Sequence, residues 1–191
     1  MSEPSQYIKS FEKYLHILEP HNPKHRGSFR GAPQTSFANE GEEPRVVHPV
    51  PIPDSAIKAL ITTEETLEDF LNCFHNNERV TVQLLRDLIR LELICSEIDL
   101  NDDGLIDLLA IESNNGDCSF GASNGVFWAL LNSPKGYKVI MAAQGAGFDV
   151  LKTKTNGVKN IRLVFVGGGE FNESRLVFNG KKYVLKRAKR H

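Results

Sequence analysis

Apolar positions along this chain change period once. Up to about residue 90 they recur with helical spacing, and from there onward they alternate. Tyr7, Phe11, Tyr14, Leu15 and Leu18 fall at i, i+4, i+7, i+8 and i+11, which predicts an amphipathic helix over 5–18, ended by Pro20. Residues 20–53 carry His21-Asn22-Pro23, Gly27, Gly31, Pro33 and a Pro-Val-Pro-Ile-Pro run at 49–53. They read as one irregular segment, long for a connection inside a compact domain, that either wraps the core in extended form or stays mobile. Thr62 and Glu65 have capping-box spacing. Leu67, Phe70, Leu71 and Phe74 follow at i, i+3, i+4 and i+7, predicting a second helix. A third, over about 82–90, puts Leu85, Leu88 and Ile89 on one side.

Near Leu91 the period shifts toward two, with Ile94, Ser96 and Ile98 on one face and Leu93, Cys95 and Glu97 on the other. The strands predicted are 92–98, 105–112, 126–132, 137–143, 147–153, 160–166, 174–178 and 182–187. Between them lie turn sequences: Asn-Ser-Pro-Lys-Gly at 132–136, Gln-Gly-Ala-Gly at 144–147, Thr-Asn-Gly at 155–157, Gly-Gly-Gly at 167–169 and Asn179-Gly180. Asn179-Gly180 suits a two-residue hairpin, because a type I′ turn needs positive φ at both central positions. Short connections without crossover helices imply antiparallel neighbours. The fold class predicted is α+β: N-terminal helices and a Pro-rich extended segment packed on a twisted antiparallel β-meander of about six to eight strands. Residues 1–90 form the helical and Pro-rich region and 91–191 the β-meander, together one compact unit.

Composition supports that division. Eight of the nine prolines precede residue 54 and eleven of the fifteen glycines follow residue 115. At 191 residues with 40% hydrophobic and 25% charged side chains, the chain can build a core of ordinary size. Its apolar runs are far shorter than the roughly 20 residues of a membrane span. Lys plus Arg number 23 and Asp plus Glu 24, a net charge of −1, so no overall pull on nucleic acid or an anionic surface follows. No basic and apolar leader is visible at Met1-Ser2-Glu3-Pro4. The location expected is cytoplasmic by default, or periplasmic or secreted if the chain is a trimmed mature form. Three cysteines, Cys73, Cys95 and Cys118, allow one disulfide at most; Cys73 and Cys95 read as small buried apolar residues.

One stretch carries chemistry. Asp99-Leu100-Asn101-Asp102-Asp103-Gly104-Leu105-Ile106-Asp107 matches D-x-[DN]-x-[DN]-G, the opening of an EF-hand calcium loop. Ca²⁺ takes six to eight oxygens. Asp99, Asn101 and Asp103 occupy alternate positions of a tight turn, Gly104 permits the bend, Leu105 offers its carbonyl, and Asp107 stands at position nine. Ile106 is placed to anchor the loop in the core. Position twelve is Ala110 rather than the bidentate Glu of an EF-hand, and both flanks read as strands. The competing reading is an Asx-rich turn without metal. Mg²⁺ is disfavoured by its stricter octahedral geometry.

Strand–DxNxDGxxD–strand resembles the calcium loop of FG-GAP or VCBS-type repeats. The wider order is similar to a group of bacterial β-rich, often exported proteins. That order runs from the acidic loop through Gly116-Asp117-Cys118-Ser119-Phe120-Gly121, Val126-Phe127-Trp128-Ala129-Leu130, Gly136-Tyr137-Lys138-Val139, Thr153-Lys154-Thr155-Asn156-Gly157 and Asn160-Ile161-Arg162-Leu163 to Phe178-Asn179-Gly180-Lys181-Lys182-Tyr183. Many of those proteins have a second cysteine in the Gly-rich segment, where this chain has only Cys118. The resemblance implies a non-enzymatic β domain, sometimes an envelope or inhibitor-type protein, and supplies no catalytic residues.

The function expected is a non-enzymatic, calcium-stabilised binding protein, with Asp99, Asn101, Asp103, Leu105 and Asp107 as the metal set. It would hold a protein partner such as a toxin or hydrolase, as an immunity or inhibitor protein does. Two alternatives stay open: a metal-dependent enzyme using the acidic loop, and a weak nucleic-acid binder using the basic C-terminus, where residues 181–191 carry six Lys or Arg and no acid. Gly167-Gly168-Gly169 lacks the Lys-Ser/Thr of a phosphate loop, the six histidines are scattered along the chain, and no nucleophile elbow exists. Phe127 and Trp128 read as core.

Overall fold

The computed structural model describes residues 35–36, 45–46, 49–71, 73–74, 80–112, 125–167 and 170–186. The predicted helix over 5–18 lies outside them, as does most of the segment 20–53.

The first described elements are two short strands, β1 (Thr35–Ser36) and β2 (Arg45–Val46), paired antiparallel. Strand β3 (Pro49–Val50) pairs with β4 (Leu93–Ile98), so part of the Pro-rich run forms a sheet edge, the place in a sheet where proline is tolerated. Helix α1 (Asp54–Ile61) follows at once and was not foreseen. The Pro53 carbonyl accepts the Ala56 and Ile57 N–H groups at 2.9 and 3.0 Å, and Asp54 puts an acid in the first turn. Helices α2 (Glu64–Leu71) and α3 (Val82–Glu92) stand where the periodicity put them.

Thr62, expected to open the second helix as a capping box with Glu65, is the C-cap of α1. The Thr62 hydroxyl closes α1 instead, donating to the Lys58 and Ala59 carbonyls at 2.9 and 3.1 Å. The Thr63 carbonyl receives the Leu67 N–H at 2.9 Å, which starts α2 one residue later. At α3 the Thr81 hydroxyl accepts the Leu84 N–H at 3.1 Å, an ordinary N-cap.

All eight expected strands exist: β4, then β5 (Asp107–Glu112), β6 (Gly125–Leu131), β7 (Lys138–Gly145), β8 (Gly147–Thr155), β9 (Val158–Gly167), β10 (Glu170–Phe178) and β11 (Tyr183–Leu185). The chain is β-rich with few helices. The single expected meander is divided, however, into a five-stranded sheet in the order β3-β4-β5-β6-β7 and a four-stranded sheet β8-β9-β10-β11, all antiparallel.

The division falls at Gly145-Ala146-Gly147. The Ala146 N–H reaches over to the Val164 carbonyl at 2.7 Å. A Cβ on Gly145 would stand 2.6 Å from that same carbonyl. Only glycine lets the backbone pass from one sheet into the other so closely.

The result is three layers: helices, the five-stranded sheet, and the four-stranded sheet. On the helical side Ile57, Leu60, Phe70, Leu85 and Ile89 pack on Cys95, Leu108, Ala110 and Trp128; the Phe70 and Trp128 rings stack at 5.6 Å. On the other side Leu109, Ile111, Phe127 and Ala129 meet Phe148, Ile161, Leu163 and Leu176, with Phe127 and Phe148 edge to face at 4.8 Å. Strands covered on both faces read as continuous apolar runs rather than alternation, which is why 107–111 and 126–130 are buried throughout.

Two turns exchange their expected roles. Asn156 (φ 48°) and Gly157 (φ 82°) both take positive φ, making the two-residue turn between β8 and β9. At Asn179-Gly180 only Gly180 has positive φ, and four residues connect β10 to β11. There the Asn179 side-chain oxygen accepts the Lys181 and Lys182 N–H groups at 2.9 and 3.0 Å, an Asx turn.

Candidate functional site

The acidic loop joins β4 to β5, between the two strands expected. Its backbone turns on Asp102 (φ 60°) and Gly104 (φ 80°). Side chains at alternate positions curl inward onto the backbone. The two Asp99 oxygens accept from the Asp103 N–H at 3.2 Å and the Gly104 N–H at 2.9 Å. The Asn101 oxygen also takes the Asp103 N–H, at 3.1 Å, and Asp103 takes the Leu105 N–H at 2.8 Å. The Asn101 amide donates to Asp103 at 2.8 Å. Ile106 is buried in the helix-side core, as its position predicted.

Asp107 is different in kind. As the first residue of β5 it is fully buried. One carboxylate oxygen accepts the Leu100 N–H and the other the Asn132 N–H, both at 2.7 Å. It therefore pins the start of the loop to the β6–β7 turn. Burial raises its pKa to about 7; the two amide hydrogen bonds pull it down, and the Asp103 and Asp99 charges push it up further. Next to it the Tyr137 hydroxyl donates to the Ile106 carbonyl at 3.0 Å. Burial, then the Asp107 charge, pushes this phenol upward.

A second group around the loop escaped the sequence reading. Lys154 and Lys159 sit directly opposite each other across the β8–β9 hairpin, an arrangement of like charges that is unfavourable by itself. Asp102 stands between them, 2.5 Å from Lys154 and 2.7 Å from Lys159. These hydrogen bonds hold its carboxyl below the ordinary value. Lys154 also donates to the Asn101 carbonyl at 3.0 Å and Lys159 to the Asp99 carbonyl at 2.7 Å. The Lys159 backbone N–H adds a bond to the Leu100 carbonyl at 2.8 Å. The sequence did contain a signal: two lysines flanking an Asn-Gly turn at matched distance need an acid nearby.

No family model, no curated protein and no solved structure matches this chain.

The five residues named from sequence thus occupy one loop. Asp99, Asn101 and Asp103 share a turn, Leu105 follows it, and Asp107 lies beneath. Among the described residues no three His, Cys, Asp or Glu side chains are grouped so as to hold a metal ion. The Asp99, Asp103 and Asp107 carboxylates accept backbone N–H groups.

The other sequence candidates are quickly placed. Cys95 is buried and free, and burial raises its thiol to about 12. Cys73 is disulfide-bonded and only half-buried, which corrects its reading as a small core residue. Its neighbourhood is a turn at the end of α2, where a thiol is less enclosed than in a central strand. Phe127 and Trp128 are core residues. Gly145 and Gly147 serve the crossing between sheets. Cys118, Gly168, Gly169, the six histidines and the basic residues 187–191 lie outside the described residues. Among the described residues no helix is long and apolar enough to cross a membrane.

Proposed function

We propose that this chain is a non-enzymatic binding protein whose 99–107 loop takes up Ca²⁺. The observation carrying this is the loop backbone itself. Asp102 and Gly104 adopt the turn that brings Asp99, Asn101 and Asp103 to its inner side, with the Asp107 carboxyl buried under it and destabilised by the two neighbouring acids. Carboxylate, amide and carbonyl oxygens are the hard donors that calcium takes. The ion would relieve repulsion among Asp99, Asp103 and Asp107, and Leu105 would lend its carbonyl. Lys154 and Lys159 favour the reading because they neutralise Asp102, which is not among the expected ligands, and leave the ligand carboxylates to the ion.

The finer architecture, N-terminal helices and a Pro-rich segment backing the sheets, makes a rigid frame for display. The partner envisaged is a protein, a toxin or hydrolase held as an immunity or inhibitor protein holds its target. Calorimetric titration with CaCl₂ should give one site, abolished in Asp103→Ala. Chelator should lower the melting temperature of the wild type but not of the variant. No heat of binding together with an unchanged melting temperature would overturn the calcium reading. The immobilised chain should retain its protein partner in calcium and release it on chelation; retention indifferent to calcium would separate partner binding from the ion.

A further inference from the structure

The outer face of the four-stranded sheet carries a row of cations. Ile161, Leu163 and Leu176 turn inward to the core, so their neighbours Arg162 and Arg175 turn outward. These two stand directly opposite each other on β9 and β10. Lys186 comes next, its N–H bonded to the Arg175 carbonyl at 2.7 Å as the chain leaves β11. Like charges side by side on neighbouring strands repel. Arg162 has Asp149 and Glu173 beside it. Arg175 donates to the Thr153 hydroxyl at 2.6 Å, and its Nε has no hydrogen-bond partner. Neither Arg175 nor Lys186 forms an ion pair among the described residues. Val177 and Val184, paired across β10 and β11, share this outer face and are half-buried.

The layer on the far side of the molecule has the opposite sign. Helix α2 carries Glu64, Glu65, Glu68 and Asp69 and no base. Glu64 and Glu68 are exposed and form no ion pair among the described residues. Helix α3, in contact with α2, exposes Leu84 and Leu91. The whole chain divides in the same way. Residues 150–191 hold eleven Lys or Arg against two acids, and residues 1–149 hold twelve against twenty-two. The five-stranded sheet separates the helices from the four-stranded sheet. With packed layers roughly 10 Å apart, the two charged faces stand about 20 Å apart or more, beyond the screening length of about 8 Å in physiological salt. Within one chain they cannot neutralise each other.

We propose that the occupant of the basic sheet face is a second copy of this chain. The row Arg162, Arg175 and Lys186 of one copy docks on the helical layer of the next, opposite Glu64 and Glu68, and the outward valines meet the exposed leucines. The contact is head to tail, so each copy keeps one face free and the assembly grows with concentration. Charge complementarity on both faces of the same molecule favours this occupant. A nucleic-acid backbone fits the face less well: Asp149 and Glu173 flank Arg162 and repel phosphate, and the valines give it no contact. This inference does not depend on the calcium reading.

Sedimentation velocity on the full chain tests it, at low salt and with chelator throughout. The mean mass should climb above the 21.4 kDa of one chain as concentration rises, and fall back to it in high salt. Arg175→Glu/Lys186→Glu should weaken association about tenfold or more, because like charges then face each other across the contact. Glu64→Lys/Glu68→Lys should do the same from the other face. Mixed together, the two variants should associate again, since each supplies the face that the other now complements. Trp128 emission reports whether each variant is folded; if the first is not, the exposed Lys186→Glu alone takes its place. A wild type that stays at the mass of one chain at every concentration overturns the proposal. So does association that the variants leave intact, or a mixture that stays dissociated. Binding of a thymidine oligonucleotide by a monomeric wild type, lost in Arg175→Glu/Lys186→Glu, would make nucleic acid the occupant instead.

Discussion

Replacing Asp107 by Ala removes the acceptors of two buried N–H groups, those of Leu100 and Asn132. Each bond is short, charge-assisted and shielded from water, and each orphaned donor costs about 1–3 kcal/mol. The sum is about 4 kcal/mol. For a chain of 191 residues each kcal/mol shifts the melting temperature by about 2–4 °C, so Asp107→Ala should melt about 8–16 °C lower. Asp107→Asn keeps the volume and one acceptor, and should lose about half as much. The assay is urea unfolding followed by fluorescence of Trp128, the one tryptophan, which is fully buried and stacked on Phe70. Chelator is present throughout, so that only the protein's own bonds are measured. A loss below about 1 kcal/mol in Asp107→Ala would refute the view that this carboxylate ties the loop to the β6–β7 turn.

Gly145→Ala should cost about 1–3 kcal/mol by overpacking, because the new methyl meets the Val164 carbonyl at 2.6 Å and a Leu163 methyl at 2.7 Å; an unchanged urea midpoint would contradict the close crossing. Asp54 is bonded by Arg86 at 2.6 Å and by Arg90. Burial pushes its carboxyl up, but these two hydrogen bonds outweigh it and hold the pKa below the ordinary value. Its stabilisation is therefore present above the unfolded carboxylate range and lost as pH falls through the folded value. With the side chain 42% exposed, Asp54→Asn should cost at most about 1 kcal/mol at pH 7, and nothing in strong acid; an equal loss at both would be the wrong sign. Thiol titration should find no reactive group in the native protein, because Cys95 is buried. Unfolding without reductant should expose one thiol, and reduction all three; two or more before reduction would contradict the Cys73 disulfide.

Much of the architecture was legible because turn chemistry and period two coincide after residue 91. Among the described residues glycine, asparagine or aspartate stands wherever the backbone takes positive φ, and apolar runs fill the strands between. Helix α1 was hidden by its neighbours. Pro49, Pro51 and Pro53 read as irregular chain, yet Pro53 is the residue from which the helix starts. The break between the two sheets was hidden for another reason: Gly145-Ala146-Gly147 reads equally well as a hairpin turn. Only the approach of Val164, some twenty residues later, makes it a crossing. At the loop, spacing located Asp99, Asn101, Asp103 and Asp107, since local turn geometry depends on local sequence. It could not reveal that Asn132, in the β6–β7 turn, and Lys159, on β9, hold the same loop.

That last dependence bears on how the chain is made. The acidic loop precedes by 53 to 60 residues the two lysines that grip it. As the polypeptide emerges from the ribosome, Asp99, Asp102 and Asp103 must wait, mutually repelling, until the β8–β9 hairpin arrives. Closing the loop is thus a late event of synthesis, and any fragment ending before residue 154 lacks both of the lysines that pair with Asp102.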